Sequence, residues 1–285
     1  MLDFVLLRVA AAVIGTTLAA WQDARTSFID DRLTTGMIFL GLVLNSIGFF
    51  LGEPFQEFVL TFAFIGVLGF VLYKTGQFGG GDVLLLLGLY ALLPENPFHY
   101  SFAVPLVASI FLYASVLAVP GSFLLYFYKL KLYSLKTLKS LEYREKLLLS
   151  LSVLGSLVTG LALSASFGLF LGFAAALFFL SGFLLTVLWK KIMSDVIIKD
   201  LTIEQIEDED IMAIDKLPSS LVKTYGLERV LTKNQVEKLK EIRRKEKRKT
   251  FPIHTNLPRF GPYLLAGLIA ALVFGGVEQF FVLFL

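Results

Sequence analysis

Two aspartates are the residues of this chain best placed to do chemistry. Asp82 directly follows Gly79-Gly-Gly81 and directly precedes Val83-Leu-Leu-Leu-Leu87, so it stands where a glycine-rich turn feeds an apolar segment. Asp23 closes the first apolar run in the same manner. A carboxylate at the edge of a hydrocarbon layer is costly and marks function, and glycines let a second backbone or side chain come close. Two carboxylates that hold one proton between them can hydrolyse a peptide bond. The ionised one deprotonates water, while the protonated one polarises the carbonyl and later protonates the leaving amine. Such a pair titrates as a unit, so Asp23 and Asp82 receive no separate roles at this point.

Competing chemistries lack their residues. There is no cysteine, which excludes disulfides, iron–sulfur clusters and a cysteine-type zinc site. The two histidines, His99 and His254, lie far apart in predicted loops, so there is no HExxH motif and no cluster of metal ligands. A serine–histidine protease within the membrane has no histidine inside a span to use. Neither a metal nor any other cofactor is expected.

The elements that must position the aspartates are membrane helices. Hydrophobic residues make up 56% of the 285, and the mean hydropathy is +0.75, far above that of a soluble domain. At about 20 apolar residues per crossing, eight spans are predicted, over about 3–21, 33–51, 57–73, 82–94, 100–128, 147–165, 167–189 and 260–282. The fold class is thus an all-α polytopic membrane protein with about eight transmembrane helices (six to eight) and a small helical cytosolic insertion. The first run has Asp3 before Arg8 and no small-residue cleavage site before Trp21, so it reads as a retained helix, not a signal peptide. Pro105 and Pro120-Gly121 are predicted kinks in the long fifth span. Ser164-Ala-Ser-Phe-Gly168 separates the sixth and seventh, either as one broken helix or as a tight hairpin.

Basic residues orient the chain. With the first loop in the cytosol, every one of the 26 Lys and Arg except Arg8 falls inside. Glu53, Glu57, Glu95 and Glu278 then lie outside, as do both termini. Asp23 closes the first span and Asp82 opens the fourth on the same cytosolic side. Two crossings, the second and third spans, thereby bring two carboxylates, roughly 60 residues apart in sequence, to one depth.

Four segments follow: a membrane core over 1–128 with both aspartates, a basic loop plus an extra transmembrane hairpin over 129–189, a cytosolic helical insertion over 190–258, and a last transmembrane helix over 259–285. Thr202-Ile-Glu-Gln205 and Thr232-Lys-Asn-Gln235 are capping-box patterns that predict two helices in the insertion, with a break at Pro218-Ser-Ser220. The first of these helices is acidic, through Glu204, Glu207, Asp208, Glu209 and Asp210, and reads as a solvated face; attraction of a basic peptide is the sharper alternative. The second runs into Arg243-Arg-Lys-Glu-Lys-Arg-Lys249, which abuts the final span and suits anionic lipid head groups better than nucleic acid.

Each aspartate also has a plainer reading. Asp82 alone could be a helix N-cap, and Asp23 alone an ordinary polar residue at a membrane boundary. Asp30 and Asp31 read as caps for the second span, and Arg25 as one more inside-positive residue. Jointly, however, the residues form a pattern. The run Asp23-Ala-Arg-Thr-Ser-Phe-Ile-Asp-Asp-Arg-Leu-Thr34 resembles the D-x-R-x-x-x-I-x-[ND]-x-L-T sequence that follows the first helix of prepilin-peptidase-like enzymes. Gly79-Gly-Gly-Asp82 is similar to their G-x-G-D motif, in the same order and at a similar separation. The resemblance covers about 1–95 and is closest to the archaeal branch, which processes preflagellins (archaellins) and pilin-like precursors. Members of that branch carry a cytosolic insertion before a last helix. Phe251-Pro-Ile-His-Thr-Asn-Leu-Pro-Arg-Phe-Gly-Pro262, followed by Leu264-Leu-Ala-Gly267, looks like a loose version of the proline-rich lead-in to that helix.

The resemblance implies that Asp23 and Asp82 are the catalytic pair and that Gly79, Gly80 and Gly81 shape the site. It implies substrates with a short basic leader ending in Gly, then a hydrophobic helix kept by the mature subunit, cut at the cytosolic face of the cell membrane. The four-cysteine zinc module of many bacterial relatives is absent, and N-methylation is not expected with it. Asp30 and Asp31 stand where Pro-Asn is common, which changes the local turn. Gln22 before Asp23 separates the chain from presenilin-like proteases, which have Tyr-Asp there. The expected partners are preflagellin or prepilin-like precursors and membrane lipids, with no nucleic acid. The alternative from another class is a transporter or channel binding protons or cations at the two aspartates. Carriers place such carboxylates nearer mid-membrane and show repeat symmetry, whereas both aspartates here lie at one edge. A catalytically silent scaffold of the same fold is a third.

Overall fold

In a computed structural model of the protein, the described residues are 2–50, 55–95, 97, 104–131, 142–208, 210–246 and 248–276. His99, Glu53, Glu209, Lys247, Glu278 and most of the basic 129–146 segment lie outside them. The chain forms two compact units, Met1–Ala118 with Arg259–Leu285, and Val119–Pro258.

The first unit contains α1 (Leu2–Thr26), α2 (Asp31–Phe50), α3 (Phe55–Lys74), α4 (Gly80–Leu92), α5 (Leu106–Lys129) as far as Ala118, and α10 (Gly261–Phe274). Each matches a predicted span. Pro105 precedes the first residue of α5 instead of kinking it, while Pro120 lies inside the helix. α4 is the short one, and its 13 residues rise only about 20 Å. It is buried on every side, through Val83, Leu85, Leu87, Gly88, Leu89, Tyr90, Ala91 and Leu92. A helix that is apolar all round belongs in a core, and α1, α2 and α3 all pack on it.

α2 presents Thr34, Met37, Gly41, Leu44, Asn45 and Gly48 as its buried face, the three- and four-residue spacing of one helical stripe. Gly41 is the point of closest approach to α4, because a Cβ there would lie 2.5 Å from the Ala91 carbonyl carbon. Asn45 reinforces the same joint, its Nδ2 donating to the Ala91 carbonyl at 2.7 Å and to the Gly41 carbonyl at 2.8 Å. Arg8 donates to the Asn45 side chain at 2.8 Å. Close approach at small residues, fixed by a polar side chain, is how helices associate where lipid removes the hydrophobic drive between them. The outward faces stay apolar, with Leu60, Phe64 and Val67 of α3 exposed. Asp30 caps α2 as expected, Oδ1 accepting the Arg32 amide at 2.9 Å, and Asp31 occupies the first turn.

The second unit holds the α6–α7 pair and the insertion. α6 (Tyr143–Phe167) and α7 (Leu169–Ile192) meet at Gly168, whose φ of 92° reverses the chain. They pack along their length, so the tight hairpin is the form adopted. Six helices of the described chain are long and apolar enough to cross a membrane, and α4 and α10 are shorter apolar helices. The molecule is an all-α polytopic membrane protein in its spans.

The insertion differs from the helical expectation. It carries an antiparallel sheet of order β1-β3-β2, with β1 Ile198–Thr202, β2 Ile211–Met212 and β3 Thr250–His254. Short α8 (Ser219–Tyr225) and amphipathic α9 (Lys233–Lys245) complete it. Thr232 caps α9, its side chain accepting the Gln235 amide. Pro218 precedes α8 and starts a helix as well as ending the turn before it. The acidic run from Glu204 is not a helix. Thr202 and Gln205 do form a capping box, but only around the three-residue turn Ile203–Gln205. Ile203 and Ile206 turn inward to a core of Met212, Leu231, Leu239, Ile242, Phe251 and Ile253.

His254, in β3, is buried, and its Nε2 has no hydrogen-bond partner among the described residues. Burial pushes its imidazole below the ordinary range; Arg229 acts in the same direction and Asp215 against it. The unfolded chain therefore takes up this proton before the folded insertion does, so stability falls as pH drops through about 6.5. Hydrogen-exchange protection of β3 should decline between about pH 7 and pH 5, and His254→Phe should flatten that decline.

Candidate active site

The last turn of α1 carries Asp23 and the first turn of α4 carries Asp82. The two helices pack together, which brings the carboxylates within electrostatic reach of each other. Asp82 is not an N-cap. Gly79 holds that position and Asp82 is the third residue of the helix, where its carboxylate reaches back to the Gly79 amide. Its other oxygen, Oδ1, is buried without a hydrogen-bond partner among the described residues. A polar atom stripped of water and left unpaired is costly and needs a use.

The three glycines are not equivalent. A Cβ on Gly81 would lie 2.9 Å from the Cβ of Ile29, so only glycine lets the α1–α2 loop sit against this turn. At Gly79 the nearest atom would be Asp82 Oδ2 at 3.2 Å, and at Gly80 it would be the Tyr73 ring at 3.5 Å, an ordinary contact. Ahead of them, Phe78 meets Phe260 edge-on with centroids 5.2 Å apart, and both touch Phe111 of α5. Aromatic packing thus ties the glycine turn to the lead-in of α10.

Asp23 is 7% exposed. Its Oδ2 accepts the backbone N–H of Gly261 at 2.8 Å. A Cβ on Gly261 would stand 3.0 Å from both Asp23 Cβ and Oδ2, so the glycine is what lets α10 approach. Arg259 lies beside the same carboxylate. Phe78, Arg259, Phe260 and Gly261 escaped the reading of the sequence as contributors to the site. For the last three the signal was the Pro258-Arg-Phe-Gly-Pro262 lead-in, which nothing local connects to Asp23, and Phe78 stood unmarked beside the glycines.

Residues 10–123 match the type IV leader peptidase family. The matched segment contains both aspartates and all three glycines, and it ends well before Arg259. Among curated proteins, a prepilin peptidase named EppA from Methanothermobacter thermautotrophicus is 35% identical over 112 residues, covering 36% of this chain and 29% of that protein. A preflagellin peptidase from Methanococcus voltae is 30% identical over 101 residues, covering 34% of this chain and 43% of that protein. The chain thus spans less than half the length of either relative. No solved structure matches it.

The remaining candidates take structural places. Arg25 stacks over the Trp21 ring at 4.5 Å and Lys74 lies over Phe70 at 5.7 Å. Of the acidic run in the insertion, Glu204 pairs with Arg243, Asp208 lies 4.0 Å from Lys233, and Asp210 accepts the Glu207 amide at 2.9 Å. Charges met this way fit the solvated reading.

Proposed function

We propose that this chain is a membrane-embedded aspartyl endopeptidase that cleaves class III leader peptides from preflagellin or prepilin-like precursors. The observation that carries the reading is the convergence of Asp23 and Asp82, from α1 and α4, inside the segment that matches the leader peptidase family. Asp23 and Asp82 are the catalytic pair and Gly79, Gly80 and Gly81 shape the turn that presents Asp82. The ionised carboxylate takes a proton from water, and the water oxygen adds to the scissile carbonyl carbon. The protonated carboxyl gives its proton to the carbonyl oxygen, which yields a gem-diol. On collapse, the first carboxyl protonates the amide nitrogen, the C–N bond breaks, and the second carboxylate recovers a proton from the diol. The pair ends as it began.

The distribution of Lys and Arg supports an active site at the cytosolic face of the cell membrane, with both termini outside. That depth suits a substrate with a basic leader in the cytosol and a hydrophobic helix in the bilayer. The basic 243–249 cluster serves anionic lipid head groups, not nucleic acid.

The test is cleavage of a basic-leader, Gly-ending flagellin or pilin precursor by membranes carrying this protein, read as a shortened product whose new N-terminus is sequenced. A product cut after the leader glycine is expected. Intact precursor across a panel of such substrates would overturn the assignment.

A further inference from the structure

The carboxylate of Asp23 draws its support from residues far outside the leader-peptidase segment. α1 ends at Thr26, and its last carbonyls have no partner within the helix. Arg259 meets this end with two arms of its guanidinium. Nη1 donates to the Ala24 carbonyl, and Nε donates to Ser27 Oγ at 3.1 Å. Ser27 itself sits at φ 59°, a left-handed conformation that costs a non-glycine residue energy. Its amide bonds back to the Asp23 carbonyl at 2.9 Å. The guanidinium therefore holds a strained helix end whose last turn carries the carboxylate. Two residues on, the Gly261 amide donates to Asp23 Oδ2. Asp82 takes the Gly79 amide from its own turn, and its Oδ1 has no hydrogen-bond partner among the described residues.

We propose that Arg259 is a positioning residue for the carboxylate pair, fixing the end of α1 and keeping Asp23 as the ionised member while Asp82 carries the shared proton. The inference rests on the catalytic reading of the two aspartates. A planar guanidinium reaches two acceptors at fixed angles, and its positive charge lies beside the carboxylate; a lysine supplies the charge without the fork. Each carboxylate receives one backbone amide, and the guanidinium beside Asp23 sets the two apart; a cation favours the charged form of the group it faces, so the base role falls to Asp23 and the acid role to Asp82. The active site in this reading is completed by the segment that follows the insertion, not by the family-matched residues alone.

The experiment compares wild type, Arg259→Lys and Arg259→Gln in precursor cleavage and in thermal unfolding of the detergent-solubilised protein. Arg259→Gln should lower kcat about 10²-fold through misplacement of the pair, with KM within about twofold of wild type. Arg259→Lys should recover about tenfold of that loss, since the charge returns without the fork. Wild-type kcat in Arg259→Gln, or equal losses in both variants, would overturn the proposal. A second arm needs no activity. The Tm shift caused by Arg259→Gln should shrink by about half when Asp23→Asn is already present, because the two side chains act on each other. Fully additive shifts would sink the proposal even where cleavage is seen. If wild type cuts no precursor, the peptidase reading falls, and the unfolding cycle still decides whether Arg259 and Asp23 are coupled.

Discussion

Membranes carrying Asp82→Asn should cut a basic-leader precursor at a rate about 10³-fold below wild type, and Asp23→Asn should match that loss. Asparagine keeps the shape of the carboxyl group but cannot exchange the proton on which the reaction turns. Both positions tolerate the change structurally. Asp23→Asn leaves an oxygen for the Gly261 amide, and in Asp82→Asn the replaced Oδ1 already has no partner among the described residues to lose. The double variant should be no slower than either single one, since groups that act as a unit lose their effect together. Rates from a gel-shift time course, normalised to inserted protein, decide the matter. Undiminished cleavage in either single variant would show that the other carboxylate works without it, and the paired mechanism would be wrong.

The second large effect is expected far from the chemistry. Gly41→Leu should destabilise the first unit by about 3 kcal/mol or more, at the upper end of what overpacking costs. Its Cβ would stand 2.5 Å from backbone carbon and 2.6 Å from the Cβ of Ala91. Neither atom can swing aside as a flexible side chain would. α4 would have to leave α2, breaking the bond from Asn45 to the Ala91 carbonyl and shifting the helix whose first turn carries Asp82. Cleavage should fall with stability. Asn45→Leu is the informative comparison, because it removes the hydrogen bonds without the clash and should cost only about 1 kcal/mol, as interhelical hydrogen bonds in membranes do. Tm in one detergent checks both, and equal, small shifts would mean that the α2–α4 joint is looser than its geometry implies.

The markers of the candidate site were legible because they are local. Asp23 and Asp82 each break an apolar run at its end, and Asp30 and Thr232 announce the helices they cap. The sheet of the insertion was not legible. β2 has two residues and β3 contains Pro252, and a proline argues against a central strand because it has no amide to give. Here the cost is avoided in pairing: the Pro252 carbonyl still accepts the Ala213 amide at 2.9 Å, and β2 pairs only with Ile253 and His254. The acidic run misled for the opposite reason. Its capping box is real, yet Ile203 and Ile206 are drawn into the core of the insertion, and the chain turns after one 3₁₀ turn.

Residue order is enough to establish that this protein lives in a membrane and which apolar segments form its spanning helices, and it marks two carboxylates at the ends of such segments. Those properties are sums over contiguous residues: apolar length decides insertion, and the placement of Lys and Arg decides orientation. Packing was needed to establish that α4 is enclosed by α1, α2 and α3, that Gly81 admits Ile29, and that Asp23 receives the Gly261 amide and the Arg259 charge. Those contacts join positions more than 200 residues apart in the last case, and no periodicity within one helix encodes which other helix its glycines will meet. Close approach is a property of two surfaces, and only the packed chain contains both.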